Sequence, residues 1–265
     1  MLAFNEDIIE KVNKWNDSFY ILTDFDRTLT AGDSVSSWGV LSSSGNVPEE
    51  YIEERTELYN YYYPYEISLT LDDKTKNKLM VEWWTKHVGL FVKYKFSEEE
   101  INGVANKKDI MKFRPGAKEL LKRMHEKNIP VIIISAGVGN FIEQFLINND
   151  ALYDNIYIVA NFVKFENGVA VGISNNIIHS LNKNEAAMPD SIKKLVNKRE
   201  NVVLFGDIID DIRMVSAEKR DRALKVGFLN NEKESSLDSY LDYYDIVGIN
   251  DATFNELIEQ LKIFQ

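Results

Sequence analysis

Asp24 and Asp26 stand two residues apart, just after the apolar run Phe19-Tyr20-Ile21-Leu22. Strand side chains alternate between faces, so a pair spaced i, i+2 at a strand end points the same way. Converging carboxylates repel, and either a divalent cation or a proton on one of them relieves the repulsion. That chemistry suits a nucleophile and an acid/base beside a metal. A plainer reading is a polar loop with a helix N-cap. Two more segments weigh against it: Pro130–Ile134 runs into Ser135-Ala136-Gly137, and Asn201–Phe205 runs into Gly206-Asp207-Ile208-Ile209-Asp210-Asp211. Continuous apolar runs of this kind are parallel strands buried on both faces. Their C-terminal edge is where open α/β sheets bind ligands.

The elements that would hold these residues alternate after residue 115. Helices are predicted over Gly116–Lys127, Asn140–Ile147, Ser191–Asn197 and Phe254–Ile263. Strands are predicted over Pro130–Ile134, Ile156–Ala160, Val169–Val171, Val202–Phe205 and Lys225–Phe228, with a weak last one at Ile246–Ile249. This rhythm implies an α/β fold, a doubly wound, mainly parallel sheet covered on both faces. Residues 33–112 break the rhythm. They are rich in tyrosine and tryptophan, show helical periodicity at Glu49–Tyr61 and Lys74–Val92, and contain no convincing strand. The expected organisation is therefore a core of 1–32 and 113–265 with an inserted helical cap of 33–112. A cap over the sheet edge excludes water and selects the substrate. Gly32 and the turn Arg114-Pro115-Gly116 are its expected hinge neighbourhoods.

Composition narrows the function classes. A formal charge of −11 over 265 residues argues against a nucleic-acid polymer or an anionic membrane as partner. A small phosphorylated ligand stays open, because a bound cation and one lysine reverse the field locally. With no cysteine there is no disulfide, thiolate metal site or thiol nucleophile. Met1–Trp15 carries Glu6, Asp7 and Glu10 in a helical pattern, unlike a signal or transit peptide. No stretch approaches the roughly 20 apolar residues that span a bilayer. A cytoplasmic protein, a monomer or weak homodimer, is expected.

Asp24-x-Asp26-x-Thr28, Ser135 after a strand, Lys183, and Gly206-Asp207-x-x-x-Asp211 resemble, in order, the motifs of the haloacid dehalogenase-like phosphohydrolases. Longer words narrow the likeness. Ile134–Gly139, Val159–Phe162, His179-Ser180-Leu181-Asn182-Lys183, Asp211–Met214, Val226–Asn230, Tyr244–Val247, Tyr62–Glu66 and Met80–Lys86 are similar to the cytosolic pyrimidine 5′-nucleotidase (type III) branch. The resemblance spans about Ile21 to the C-terminus and implies a Rossmann-like core. It also implies that Asp24 attacks phosphorus and forms an aspartyl-phosphate. Asp26 then protonates the leaving oxygen and activates the hydrolytic water. Mg²⁺ would be held by the Asp24 and Asp207 carboxylates and the Asp26 carbonyl, with Asp211 behind them. Ser135, with the Ala136 and Gly137 amides, and Lys183 would hold the phosphate.

Local sequence alone also allows Ser135 as a helix N-cap and Lys183 as a solvated lysine. Asp210 reads as exposed, His125 as exposed on a helix, and His179 as structural. In the cap, Tyr61, Tyr62, Tyr63, Tyr65, Trp83 and Trp84 offer faces for base stacking, or simply pack its helices. The resemblance makes Glu66 the reader of the base edge and Trp84 the stacking ring. His87 stands where a substrate-pocket serine is expected, Asp210 where a small residue is, and Thr30–Asn46 lacks the family's words. The expected activity is Mg²⁺-dependent hydrolysis of nucleoside 5′-monophosphates, pyrimidine or N7-methylguanosine. Phosphoserine or a sugar phosphate is the alternative substrate, and a non-catalytic scaffold with the cap as a protein-binding surface is a third reading. Transfer of the phosphoryl group to another nucleoside is a further outcome of the same intermediate.

Overall fold

The computed structural model describes residues 1–4, 6–68, 70–105, 110–174, 176–230 and 236–265. The chain opens with β1 (Leu2–Phe4), α1 (Glu6–Val12) and β2 (Phe19–Thr23), then makes a helical excursion through α2 (Glu49–Glu66), α3 (Asp73–Lys93) and α4 (Glu98–Val104). It returns through α5 (Ala117–Glu126), β3 (Val131–Val138), α6 (Gly139–Asn148), β4 (Ile156–Asn161), β5 (Val163–Glu166) and β6 (Val169–Ile173). The rest is α7 (Asp190–Val196), β7 (Asn201–Gly206), β8 (Ala223–Phe228), α8 (Leu237–Leu241), β9 (Ile246–Gly248) and α9 (Phe254–Gln260).

Seven strands form one sheet in the order β1-β9-β8-β7-β2-β3-β4. Neighbours are parallel except β1, which runs antiparallel to β9 at the edge. The alternation of strand side chains divides the core in two. Phe19, Ile21, Ile133, Val203 and Phe205 face a layer built from α5, α6 and α9. Their neighbours Tyr20, Leu22, Ile132, Ile134, Val202 and Leu204 face α7 and α8. The doubly wound parallel sheet expected from the sequence is thus present, and β2, flanked by β3 and β7, is at its centre.

Several boundaries differ from expectation. Leu2–Phe4 is an edge strand because it pairs with Ile246–Gly248, which overrides the helical pattern of the first residues. Val169–Ile173 does not join the sheet. It pairs with Val163–Glu166, a strand absent from the sequence reading, in a separate hairpin. Helix α2 runs past Tyr61 to Glu66 through Pro64, which has no N–H to offer the Asn60 carbonyl and stands close to the end of the helix.

The excursion leaves and rejoins the core at one place. Ala31 N donates to Lys112 O (2.9 Å) and Arg114 N to Leu29 O (2.8 Å). Its expected limits, 33–112, enclose residues 69 and 106–109, which lie outside the described residues. Helices α2 and α3 are antiparallel: Tyr62 stacks on Trp83 (5.9 Å) and Glu54 pairs with Lys93 (2.5 Å). The hairpin seats this insert, with Glu98 N bonded to Gly168 O (3.0 Å) and Ala170 N to Phe96 O (3.0 Å).

Candidate active site

Beyond Thr23 the chain leaves the sheet in a tight turn, with Arg27 in the left-handed region (φ 59°). This turn, and not strand alternation, carries Asp26 back toward Asp24. Arg114, buried beneath it, makes the turn rigid. Its guanidinium donates to Thr28 O (2.9 Å), Arg27 O (2.5 Å), Ala252 O (3.1 Å) and Asn230 Oδ1 (2.8 Å). Burial lowers the Arg114 pKa only to about 10, so it stays a cation.

Asp24, Asp207 and Asp211 present carboxylate oxygens within 4.8 Å of one another at the C-terminal ends of β2 and β7. Lys183 Nζ lies 2.5 Å from Asp24 and 2.7 Å from Asp211, in a setting where all three side chains are buried. Burial works against the Lys183 charge, but the two facing carboxylates outweigh it and raise its pKa. Asp24 is pushed up to about 7, first by desolvation and then by the negative charge of Asp211 and Asp26, with Lys183 opposing. Desolvation and the charges of Asp24 and Asp211 likewise raise Asp207 well above the ordinary range. Such a cluster of hard oxygens, three carboxylates facing a single lysine, fits a small divalent cation.

The Asp211 carboxylate is already engaged. Its Oδ2 accepts from the amides of Asp207 (2.9 Å) and Ile208 (3.2 Å), so it braces the loop from behind. That fold-back needs Gly206, where a Cβ would fall 2.4 Å from the Asp211 Cβ. Tyr240 and Tyr244 donate to the carbonyls of Asp207 (2.5 Å) and Ile208 (2.5 Å) and fix the same loop.

Asp26 is gripped by Ser37, whose amide donates to Oδ1 (2.8 Å) and hydroxyl to Oδ2 (2.7 Å). Desolvation nevertheless raises the Asp26 pKa, which helps it to carry a proton. Ser135 is buried inside β3 and does not cap α6, whose N-cap is Val138. Its hydroxyl accepts from Gly137 N (3.0 Å) and keeps its own proton free for an anion. Gly137 is indispensable here: a Cβ would meet Ser37 Oγ at 2.0 Å and Asp26 Oδ2 at 3.2 Å. The Ala136 carbonyl accepts from the Trp38 indole (2.8 Å) and from Asn161 (2.8 Å).

On the insert side, Glu66 ends α2 and reaches the core. Desolvation raises its pKa, opposed by the Ser180 hydroxyl and the charges of Lys76 and Lys183. Trp84 lies between Trp83 (4.4 Å, 10°) and Trp38 (4.7 Å, 10°), so neighbouring indoles stack on it. His87 packs on Trp38 (4.6 Å), and neither ring nitrogen has a partner. Burial pulls its pKa down to about 3. Asp210, expected to be exposed, instead pairs with Lys76 of α3 (3.8 Å) and with Arg213 (3.1 Å), which also binds Asp73 (3.0 Å). These ion pairs clasp the insert to the loop that carries Asp207. His125 stacks on Tyr153, with its Nδ1 3.1 Å from Asp154 Oδ1, and His179 is buried.

Sequence reasoning missed Ser37, Trp38, Arg114 and Asn230. Ser37 and Trp38 fall in a serine-rich stretch without a motif, and Arg114 was visible only as part of a turn.

The pyrimidine 5′-nucleotidase (UMPH-1) family model matches residues 20–263. The 7-methylguanosine phosphate-specific 5′-nucleotidase of Homo sapiens is 35% identical, over 90% of this chain and 82% of that protein. Its Drosophila melanogaster counterpart is 32% identical, over 89% and 76%. A crystal structure of cytosolic 5′-nucleotidase IIIB bound to cytidine superposes with a TM-score of 0.86 at 29% identity, covering 99% of this chain and 93% of that one. A substrate-bound phosphoserine phosphatase shares the fold alone, with a TM-score of 0.59 at 17% identity over 94% of this chain and all of that one. With a family model matching nearly its whole length and a relative 35% identical over most of both chains, the protein belongs to the pyrimidine 5′-nucleotidase family.

Proposed function

We propose that the protein hydrolyses nucleoside 5′-monophosphates to nucleoside and phosphate, with Asp24 as nucleophile, Asp26 as acid/base and the helical insert as a substrate-selecting cap. One observation carries this reading: Lys183 bridges Asp24 and Asp211 beside Asp207, a constellation built to gather a phosphoryl group against a carboxylate.

Asp24 and Asp207 are the residues that would hold Mg²⁺, with the Asp26 carbonyl. The ion would supply positive charge where two anions must meet. Lys183 holds the Asp24 carboxylate in place and faces the charge of the phosphate. Ser135 donates its free hydroxyl proton to a phosphate oxygen. Asp26, whose hold on a proton is strengthened by burial, gives that proton to the departing 5′-oxygen; its carboxylate then takes one from the water that cleaves the aspartyl-phosphate. Ser37 keeps that carboxyl aimed through both steps. Glu66 reads the base edge, as a carboxylate suits an exocyclic amine. A ring placed against Trp38 or Trp84 is worth roughly 1–3 kcal/mol. A relative named for 7-methylguanosine phosphate and a similar structure bound to cytidine favour the monophosphates of these two nucleosides as substrates. The cytoplasm is the compartment proposed, on the lack of cysteine. Among the described residues no helix is long and apolar enough to cross a membrane.

A second reading keeps the chemistry but replaces the substrate with phosphoserine or a sugar phosphate. Its support is the 4.7 Å stack of Trp38 on Trp84, which leaves no slot for a base until the rings part. Phosphate release from CMP, UMP, N7-methylguanosine monophosphate, phosphoserine and glucose 6-phosphate, with Mg²⁺ or EDTA, separates the two. Preference for the last two substrates over every nucleotide would reject the first reading.

A further inference from the structure

Lys183 reaches the phosphate site from a tight turn whose geometry is closely specified. Ile178 exchanges hydrogen bonds with the Asn161 side chain (2.8 Å each way), and His179 N donates to Asn182 Oδ1 (2.8 Å). Lys183 N closes the turn on His179 O (3.0 Å). Two buried side-chain atoms in this turn have no hydrogen-bond partner, His179 Nε2 and Ser180 Oγ. Only the second has charged neighbours. It lies beside the Glu66 carboxylate, which also feels Lys76 and Lys183, yet no hydrogen bond of sound geometry joins the two.

Burying a hydroxyl without a partner is unfavourable, and native structures rarely tolerate it unless a ligand supplies the bond. Ser180 is 4% exposed, beside the Glu66 carboxyl and three residues before the lysine at the phosphate. A nucleoside 5′-monophosphate places its ribose between phosphate and base. We propose that Ser180 is a specificity residue that hydrogen-bonds a ribose hydroxyl of the substrate, and so makes the enzyme prefer ribonucleotides to deoxyribonucleotides. The hydroxyl rotates freely and can donate or accept, so it suits an alcohol better than a charged group. The inference rests on the nucleotidase reading and adds the sugar to it.

The test compares the full-length wild type with Ser180→Ala on CMP, 2′-deoxy-CMP and 3′-deoxy-CMP in excess Mg²⁺, alongside thermal melts of the ligand-free proteins. The wild type should prefer CMP over one deoxy form by roughly 5- to 30-fold in kcat/KM, as expected for leaving a buried hydroxyl unpaired. Ser180→Ala should shrink that ratio at least about fivefold, through a higher KM for CMP with kcat nearly unchanged. Its Tm should stay within a few degrees of the wild type, since the deleted hydroxyl makes no hydrogen bond of sound geometry in the free protein. Ser180→Thr, which keeps a hydroxyl, should retain the preference. A wild type indifferent to the sugar, an alanine variant with the ratio intact, or a lowered Tm with all three substrates equally impaired would each overturn the proposal. A wild type active on phosphoserine or glucose 6-phosphate but on no nucleotide would instead fail the function itself, and this inference with it.

Discussion

Replacing Asp26 with asparagine isolates the proton-transfer step from the rest of the site. Asparagine keeps the volume and one carbonyl oxygen, so the Ser37 amide (2.8 Å) retains its acceptor. The new amide group faces Ser37 Oγ, which already accepts from Val138 N (3.2 Å) and has a second lone pair for it. Removing a buried charge offsets the lost charge-assisted bond, so stability should move by no more than about 1 kcal/mol. For a chain of this length that is a Tm shift of roughly 2–4 °C. Catalysis should suffer far more. Losing a general acid and base costs about 10²–10⁴-fold, or about 2.7–5.5 kcal/mol of barrier. The deficit should depend on the leaving group. A nucleoside alkoxide needs the proton, whereas p-nitrophenolate leaves without it. With CMP the variant should therefore be slow from the first step. With p-nitrophenyl phosphate it should release a rapid burst of one product equivalent per enzyme and then stall, because the aspartyl-phosphate still lacks a base to activate water. Stopped-flow absorbance with parallel phosphate release distinguishes these courses. CMP turnover within tenfold of wild type, with the melt unchanged, would refute the role given to Asp26.

Gly137→Ala should act on the same grip from the other side: its Cβ would lie 2.0 Å from Ser37 Oγ, so Ser37 must move and kcat should fall by about 10²-fold or more. Steady-state kinetics on a variant with a retained circular dichroism spectrum checks it. The effect of pH derives from Asp24, raised from 3.8 to about 7 in the folded protein. A carboxyl that binds its proton more tightly when folded adds stability that is complete below its unfolded pKa and is lost as pH rises to about 7. Without metal, Tm should therefore decline between about pH 4 and about pH 7 on this account, while the gain on adding Mg²⁺ should grow over the same window. Melts with EDTA or excess Mg²⁺ across that range measure both trends; an Mg²⁺ gain that shrinks as pH rises would contradict them. Asp210→Ala removes the link between Lys76 and Arg213. Because part-exposed pairs are worth about 0–1 kcal/mol, KM should rise by roughly two- to fivefold with Tm within a few degrees of wild type; an unchanged KM would show that the clasp does not hold the insert for substrate.

The catalytic edge was legible because its determinants are local. A strand of five buried residues, Phe19–Thr23, has to leave the sheet at its C-terminal end, and the residue at that exit is Asp24. The same holds for Asp207 after the run from Asn201, while Ser135 follows the apolar run from Val131 but sits inside β3, which continues to Val138. Lys183 was legible only by its order relative to those motifs, since Asn182-Lys183-Asn184-Glu185 looks like any solvated loop. The features that the sequence concealed depend on contacts between distant segments. Arg114 meets Arg27 and Thr28 across 87 and 86 positions, and Trp38 meets Ala136 across 98. Asp210 looked exposed because nothing nearby in sequence neutralises it except Arg213; its other partner, Lys76, comes from the insert. The strand at Leu2–Phe4 exists only because β9 offers it an edge, which no local pattern encodes.

Ser37 and Trp38 make recognition and chemistry one structural unit. Ser37 holds the acid Asp26, while the adjacent indole bonds to Ala136 O (2.8 Å) and stacks on Trp84 (4.7 Å). From Trp84 the ring stack continues through Trp83 (4.4 Å) to Tyr62 (5.9 Å), into the body of the insert. A base entering beside Trp84 breaks one aromatic contact, worth about 0.5–1.5 kcal/mol, and forms stacking worth roughly 1–3 kcal/mol. At the midpoints insertion gains about 1 kcal/mol, and it shifts Trp38 and with it the residue that aims Asp26. Binding energy from the base is then spent on orienting the acid, so a substrate lacking the base should lose kcat and not merely affinity. Ribose 5-phosphate, which offers the phosphate and sugar alone, should show kcat lower than CMP by about tenfold or more at saturation. Equal kcat for the two, with the difference confined to KM, would mean that the stack only binds and that the Ser37-Trp38 link transmits nothing.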